Sequence, residues 1–340
     1  MTPKECVLAA LRRETPEFIP TFEWFIDTTV LEALAGTTDP IDATEILNLD
    51  GVNIRAAYAK EWIDDKSYID EWGIKKQLTG DVLPASMGSP ITDITKQADF
   101  AFPKLDAPHR FKTLERALDK YGDHRCVVLN LRDGFSDMRD LLGYQNALME
   151  MLLNKQHFTD LLKRVVDYNL ALAELAVKRY GIEVVATTDD VATAVGPIIS
   201  PKVYKEVIFP YFKEVMQGYR SLGLITIKHS DGDIMPYLDL WLEAGIQCLD
   251  PIDPTANLDM AVMKAKYGNL ICLKGNIDCT GHLCDGTPEQ VDEEVRICIE
   301  KGGPDGLIVS SSNTIHRGVK PENFQAMLDA VKKYGKTKTL

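Results

Sequence analysis

The amino-acid sequence predicts a (β/α)8 barrel, and three observations support this fold class. Eight short, mostly apolar runs end in polar residues, as do strands that are buried on both faces of a parallel sheet. Amphipathic helical patterns follow most of these runs, which indicates alternating strands and helices. The length of 340 residues suits one large domain, predicted to span 1–340.

The strands follow one another along the whole chain. In order they are expected at "FIPTFEWF", "DGVNIRA", "CVVLNLR", "EVVATTDD", "LITIKHSD", "IQCLDPID", "LICLKGNID" and "LIVSSSNT". The first 150 residues are less regular, and the region 62–105 is expected to be an inserted hairpin and loop. A doubly wound open sheet is the alternative fold, but no glycine-rich dinucleotide fingerprint follows the first predicted strand.

Three of the predicted helices are marked at their ends. The first is expected over 200–223, with serine as N-cap, proline at the first helical position and glycine at the end. The second begins with a capping box of Thr287 and Gln290 and ends at glycine 302. The third covers 320–335 and also ends at a glycine.

Charge and composition restrict the class of partner. The net charge of -13 argues against nucleic acid and against an anionic membrane surface. No apolar run reaches the ~18–20 residues of a membrane span. The amino-terminal stretch has no signal-peptide core, so we expect a cytoplasmic protein.

Seven scattered cysteines do not resemble a disulfide framework and are expected to be reduced thiols.

The candidate functional residues lie where the predicted strands end, because (β/α)8 barrels place their active sites at the carboxyl ends of the strands. Asp189, Asp253 and Asp278 are equally well explained as helix N-caps. The residues at these strand ends are Glu23, Trp24, Asn53, Arg55, Asn130, Arg132, Asp189, Asp190, His229, Asp231, Asp250, Asp253, Asn276, Asp278, Ser312 and Asn313.

Two histidines stand among these carboxylates. His229 and Asp231 end the fifth predicted strand, and His316 follows the eighth. Together with Asp190 they could bind a hard metal ion, or Asp231 could orient His229 as a proton donor. A weaker alternative is the loop "CTGHLC", since a structural zinc site needs a second pair of ligands that the sequence does not offer.

Five ordered motifs resemble the uroporphyrinogen decarboxylase superfamily. They are "TTDDVATAVGPIISPKVYKEVIFPYFKEV", "IKHSDGD", "GIQCLDPIDP", "KGNID" with "DGTPEQVDEEV", and "SSSNTIHRGVKPENFQAMLDAV". The resemblance covers roughly 1–335 and implies a (β/α)8 barrel, in agreement with the independent strand count. It also implies either decarboxylation of uroporphyrinogen or methyl transfer that involves a corrinoid carried on a separate protein.

The decarboxylase activity fits this chain poorly. Decarboxylases of the family have an arginine-rich loop after the first strand, whereas "TFEWFIDTTV" here contains no arginine. Their histidine eight residues before the last helix corresponds to Asn313. Members that act on coenzyme M bind zinc through an H-x-C pair and a later cysteine, and the matching residues here are His229, Asp231 and Asn313. Both cysteines are missing, which puts thiol methylation in doubt.

The resemblance therefore favours the first methyltransferase of anaerobic O-demethylation. Such an enzyme moves a methyl group from a phenyl methyl ether such as vanillate, guaiacol or veratrol to cob(I)alamin. The chain lacks a D-x-H-x-x-G motif, so the corrinoid is expected to arrive on a small partner protein that docks at the barrel mouth. Methylated amines, betaine and thiols are the alternative substrates. The chain is also compatible with a homodimer.

The predicted site has catalytic and substrate-binding parts. His229 and Asp231 are also the predicted metal ligands, with zinc as one candidate, and no corrinoid-binding residues are predicted. A non-catalytic barrel and a metal-dependent hydrolase are the alternatives from other functional classes. The catalytic candidates are His229, Asp231, Asp190, Asn313 and His316, and the substrate-binding candidates are Glu23, Trp24, Phe25, Arg55, Asn130, Phe135, Met138 and Asn276.

Overall fold

The computed structural model describes residues 1–337, in which a curled sheet of seven parallel strands forms the centre. Each strand pairs with its neighbour in chain order, and all seven coincide with predicted strands. This confirms the predicted α/β barrel class. The strands are β1 Gly51–Arg55, β2 Cys126–Arg132, β3 Val184–Thr188, β4 Ile225–His229, β5 Cys248–Ile252, β6 Cys272–Ile277 and β7 Leu307–Ser311.

The eighth position of the barrel is filled by the segment 18–25, which is not a regular strand. Thr21 forms an isolated parallel bridge with Val309 of β7, and the amide of Asp50 donates to the Thr21 carbonyl over 2.9 Å. The segment thus connects β7 to the start of β1. The prediction of a regular first strand was wrong because Pro20 has no backbone donor and interrupts the ladder.

The region between β1 and β2 forms a small sheet of its own beside the barrel. Lys76 in this sheet contacts Asp140 over 3.0 Å, between Nζ and a carboxylate oxygen. A second, two-stranded hairpin follows β3, with strands Ala192–Thr193 and Gly196–Pro197. The inserted sheet has four antiparallel strands, Lys60–Trp62, Ser67–Asp70, Lys75–Gln77 and Ala85–Gly88, and a 3-10 helix, Ile94–Asp99, comes after it.

Two predicted helices match closely and one is interrupted. The capping box of Thr287 and Gln290 is present at the start of Pro288–Gly302. Between 201 and 221 the helix contains a π-turn, Tyr204–Ile208, because Pro210 cannot donate the usual i to i−4 hydrogen bond.

The remaining helical segments pack outside the sheet or cover one end of it. The α-helices are Pro3–Leu11, Thr28–Ala35, Pro40–Ile46, Lys112–Tyr121, Phe135–Leu142, Tyr144–Leu153, Lys155–Tyr180, Pro201–Val203, Phe209–Ser221, Met235–Ala244, Met260–Tyr267, His282–Asp285, Pro288–Gly302 and Pro321–Tyr334, with a short 3-10 turn at Pro254–Ala256. Across residues 1–337, none of the helices is both long and apolar enough to cross a membrane.

The barrel interior is apolar at its amino-terminal end and polar at its carboxyl end. Helix Pro3–Leu11 packs its buried residues against an interior cluster that includes Ile225, Ile227 and Cys272. Alternate residues of a strand face the same side, so the inward positions of β4 continue from these isoleucines to His229. The cysteines, which all lie within the described residues, are free thiols, as predicted.

Candidate functional site

Three inward-facing charged residues form a buried row at the carboxyl end of the barrel. His229 ends β4, Asp250 lies on β5 and Lys274 lies on β6, and each is almost completely buried. Lys274 Nζ donates to Asp250 Oδ1 over 2.8 Å and to Ser310 Oγ over 3.0 Å. The period of two along neighbouring parallel strands places all three side chains on one level of the barrel.

The imidazole of His229 is held on three sides. Its Nδ1 lies 2.7 Å from Asp250 Oδ2, and a carboxylate can only accept, so Nδ1 donates. The Trp24 ring stacks on the imidazole, with centroids 4.1 Å apart and planes 10° apart. Nε2 remains directed toward Asp231, whose Oδ1 is 3.4 Å away. The ring therefore presents one nitrogen to the barrel mouth in a fixed orientation.

The surrounding carboxylates favour a charged imidazole. Burial opposes protonation of His229, but the neighbouring Asp231 and Asp250 carboxylates outweigh this effect and raise its pKa to about 9. Burial likewise disfavours the Asp250 carboxylate, yet Lys274 and His229 lower its pKa below the ordinary value. In the metal-free site, His229 thus carries protons on both ring nitrogens at neutral pH.

Two further carboxylates and an amide complete the centre. Asn313 Nδ2 donates to Asp231 Oδ2 over 2.7 Å, whereas Asp231 Oδ1 is buried and accepts no hydrogen bond from the described part of the chain. The Asp231 amide lies 3.5 Å from Asp190 Oδ1, and Arg139 approaches the other Asp190 oxygen to 3.8 Å. Of the five predicted catalytic residues, the structure brings four together here: His229, Asp231, Asp190 and Asn313.

The chemistry of this centre fits a hard cation. Asp190, His229 and Asp231 each offer one ligand atom, and these atoms lie within 4.8 Å of one another. Asp231 Oδ1 is an oxygen without a donor, and the bond from Nδ1 to Asp250 is the support that a metal-ligating histidine usually has. One nitrogen and two oxygens, with no sulfur, suit a harder ion than a thiolate set does.

Glu23, predicted as a substrate-binding residue, makes buried contacts that hold the barrel together. Its carboxylate accepts hydrogen bonds from the Ser311 amide, over 3.1 Å, and from the Ser311 hydroxyl, over 2.5 Å. Burial raises the pKa of Glu23 to about 6, against the opposing effects of Lys274 and Ser311. These bonds attach segment 18–25 to β7, so Glu23 helps to close the barrel.

The aromatic and amide candidates differ in their accessibility. Phe25 is partly exposed beside Trp24, and the Asn130 side-chain amide has no hydrogen-bond partner within residues 1–337. Phe135 and Met138 lie completely buried in the core between sheet and helices. Their side chains offer no free surface to a ligand in this conformation, because helix Phe135–Leu142 turns them inward.

Two predicted site residues are directed elsewhere. His316 Nε2 lies 3.0 Å from the Cys279 carbonyl, while its Nδ1 accepts from the Gly318 amide over 3.1 Å, so local backbone groups engage both nitrogens. Asn276 donates to the carbonyls of Ile252 and Leu258 and lines a separate cavity of about 670 Å³. The sequence could not show that the backbone turns at Asn276, where φ is 81°.

Two lysines that stabilise the buried carboxylates were not among the predicted site residues. Lys274 pairs with Asp250, and on the outer side of the sheet Lys228 Nζ donates to Asp133 over 2.8 Å. Both lysines stand inside apolar strand patterns, "LICLKGNID" and "LITIKHSD". A lysine in a buried strand requires an anionic partner, so the sequence did indicate that these two lysines would pair with carboxylates.

Comparison with known proteins agrees with this architecture. A uroporphyrinogen decarboxylase of Psychromonas ingrahamii is 26% identical over 206 residues, which are 58% of this chain and 51% of that protein. The methylcobamide:CoM methyltransferase MtbA of Methanosarcina mazei is 23% identical over 66% of this chain and 62% of its own length. The chain thus spans less than two thirds of these curated relatives.

A solved structure and a family model cover more of the chain. A methyltransferase from Methanosarcina mazei superposes with a TM-score of 0.79 at 17% identity, covering 98% of this chain and 99% of the other, and it therefore has the same fold. The model of the uroporphyrinogen decarboxylase (URO-D) family matches residues 72–334. By this match the chain belongs to the URO-D family.

Proposed function

We propose that the protein transfers a methyl group from a phenyl methyl ether to cob(I)alamin carried on a separate corrinoid protein. The observation that carries the proposal is the His229 imidazole, fixed by Asp250, with Nε2 facing Asp231 at the barrel mouth. The family includes relatives named as decarboxylases and relatives named as methylcobamide:CoM and methylated-thiol methyltransferases, so methyl transfer is within its range.

The charges in the mouth favour methyl transfer over decarboxylation of an octa-acid. Asp190 and Asp231 face the centre, and segment 18–25 contains no arginine that would attract a polycarboxylate. Asn313 stands where the decarboxylases of the family have a histidine, and its side chain donates a hydrogen bond to Asp231. A substrate with eight carboxylates would therefore meet repulsion where it needs attraction.

The ligand atoms favour an ether over a thiol as the methyl donor. Zinc activates thiols most effectively with sulfur ligands, and none of the cysteines contributes to the group of Asp190, His229 and Asp231. Cys279 Sγ instead accepts a hydrogen bond from the Ser312 hydroxyl over 3.4 Å, and burial raises the pKa of this thiol to about 12. An oxygen-rich centre is better suited to polarise an ether oxygen.

Breaking the methyl–oxygen bond requires an electrophile at the ether oxygen, because phenolate is a poor leaving group. Without a cation, the His229 imidazolium can supply a proton, and its pKa of about 9 is close to the ~10 of a phenol. A cation held by Asp190, His229 and Asp231 would polarise the same oxygen as a Lewis acid. Asp250 keeps Nε2 directed at the substrate in either case, while Asn313 orients Asp231.

An anaerobic transfer assay tests the proposal. Protein, chemically reduced cob(I)alamin and a panel of methoxyarenes, methylated amines and methylthiols are mixed, and methylcobalamin formation is followed by absorbance. We expect transfer from methoxyarenes, with His229→Gln inactive and the surface variant His282→Gln active. Zinc analysis and chelation then distinguish a cation from a proton. Transfer only from thiols or amines, or consumption of a porphyrinogen, would overturn the proposal.

A further inference from the structure

Exposed apolar side chains are concentrated at one end of the molecule. Within residues 1–337, sixteen large apolar side chains are strongly exposed, and eleven of them lie in the connections that follow β1, β2 and β3. Six of the eleven lie between 62 and 87, four lie between 144 and 153, and the last is Val195 in the hairpin after β3. These connections leave the carboxyl ends of the strands and therefore border the barrel mouth. Single exposed apolar residues are ordinary, but such a concentration marks a binding surface.

The first two of these connections lie against each other. Ser86 Oγ in the inserted sheet donates to Asp140 Oδ1 over 2.7 Å, and the Ile91 amide donates to the Leu141 carbonyl over 3.0 Å. Helix Tyr144–Leu153 follows directly, so its exposed apolar side chains continue the surface of the insert. We call residues 60–88 and 144–153 together the apolar rim.

Ion pairs fix the apolar rim relative to the candidate site. Asp140 accepts from Lys76 of the insert and from Arg132 at the end of β2, each over 3.0 Å. Arg132 is the cross-strand neighbour of Thr188, and Thr188 is the cross-strand neighbour of His229. A protein bound to the rim is therefore held at a defined position relative to the imidazole.

The opposite half of the mouth has a different character. The connections after β4, β5 and β6 contain six aspartates and neither lysine nor arginine. None of their large apolar side chains is strongly exposed. Charged residues are depleted from the cores of protein interfaces, so this half is poorly suited to bind another protein. The connections concerned are residues 230–234, 253–259 and 278–287.

We propose that the corrinoid protein docks on the apolar rim, off the barrel axis, and delivers its cofactor to His229 from the side of β1–β3. The inference rests on the proposed function for the identity of this partner. His229 Nε2 is directed to the mouth, so any protein that brings a corrin ring to it must contact the surrounding connections. The apolar rim supplies the hydrophobic core that a specific interface needs, and the aspartate half stays open for the methyl donor.

The path from the rim to the histidine is lined by aromatic rings. Arg55, a predicted substrate-binding residue, ends β1 with its Cζ 4.5 Å from the centre of the Phe25 ring. The Phe25 ring meets the Trp24 ring at 5.9 Å, and the Trp24 ring stacks on His229. A flat cofactor that arrives from the rim thus passes over aromatic surface and avoids the aspartates.

A comparison of free and protein-bound corrinoid separates docking from chemistry. Methyl transfer from a methoxyarene is measured to free cob(I)alamin and to cob(I)alamin on purified corrinoid proteins that carry the D-x-H-x-x-G motif. The rim variants are Met87→Ser and the double variant Leu152→Ser, Leu153→Ser. Ile46→Ser and Leu270→Ser are matched controls, because these side chains are 57% and 55% exposed, like Met87 at 57%, but lie near the opposite end of the barrel.

The rim variants should raise KM for the corrinoid protein by about tenfold or more and leave kcat at saturation unchanged. The controls should match wild type, and all variants should transfer to free cob(I)alamin at the wild-type rate. An unchanged KM in the rim variants, equal losses with free cob(I)alamin, or transfer to free but to no protein-bound corrinoid would each overturn the inference.

Light scattering tests a second copy of the chain as the alternative occupant. We expect the double variant to have the same mass as wild type without the corrinoid protein. A wild-type dimer that the double variant dissociates would assign the rim to self-association and overturn the inference. No transfer even to free cob(I)alamin would instead overturn the proposed function, and with it the partner named for the rim.

Discussion

The Nδ1 atom of His229 and the Oδ2 atom of Asp250 lie 2.7 Å apart in the buried interior of the barrel. The second oxygen of the same carboxylate accepts a hydrogen bond from Lys274 Nζ over 2.8 Å. Asp250 thus neutralises a lysine and orients a histidine at the same time. The three strands β4, β5 and β6 each contribute one member, and the resulting row determines which nitrogen of His229 reaches the mouth.

Replacement of Asp250 by asparagine tests whether its carboxylate positions His229 for catalysis. The uncharged amide cannot stabilise the His229 imidazolium or neutralise Lys274, so we expect methyl transfer to fall by about 100-fold or more. Leaving Lys274 as an unpaired buried charge should cost about 3–5 kcal/mol of unfolding free energy. Steady-state rates and urea unfolding measure the two effects. Unchanged rates would show that Asp250 does not position His229.

His229 and His316 should respond differently to the same substitution. His229→Gln should lose about 100- to 10,000-fold in rate, because Nε2 supplies or holds the electrophile. His316→Gln should stay within about threefold of wild type, since backbone groups already engage its ring and its replacement is local. Rates of methylcobalamin formation compare the two. Equal losses would mean that His316 belongs to the reacting centre.

A double substitution of Asp231 and Asn313 by cysteine tests the chemistry of the ligand set. The two side chains touch at 2.7 Å, so two thiolates at these positions can reach one ion together with His229. We expect zinc affinity to rise by about tenfold or more over wild type. Cobalt substitution should give thiolate charge-transfer absorption in the double variant alone, and each single variant serves as control. No such band would place the two positions too far apart for a shared ion.

Glu23 should make stability depend on pH. Its folded pKa of about 6 exceeds the ordinary 4.5, so the folded protein binds this proton more tightly than the unfolded chain. The protonated Glu23 contributes fully to the free energy of unfolding below pH 4.5. This contribution, about 2 kcal/mol, is lost as the pH rises through 6 and is absent at pH 7 and above.

The variant Glu23→Gln should remove this dependence, because a glutamine still accepts from the Ser311 amide but never ionises. We expect it to be more stable than wild type at pH 7.5 and similar to it at pH 4.5. Thermal unfolding at both values provides the comparison. A larger gain at pH 4.5 than at pH 7.5 would contradict the assigned direction.

Local patterns were sufficient for most of the fold. Seven predicted strands coincide with β1–β7, and the capping box at Thr287 starts its helix as expected. Hydrophobic periodicity and capping depend on neighbouring residues and are therefore visible in the sequence. The π-turn before Pro210 was not anticipated, because the amphipathic pattern continues across it.

The sequence by itself determined that carboxylates and a histidine gather at the strand ends, since parallel strands end at the same edge of the sheet. Only the tertiary structure decided which of them meet. The register of β4 and β5 paired His229 with Asp250, and a bulge in the pairing of β5 and β6 accompanies the outward turn of Asn276. Contacts between distant strands depend on register and backbone twist, which local residue patterns do not specify.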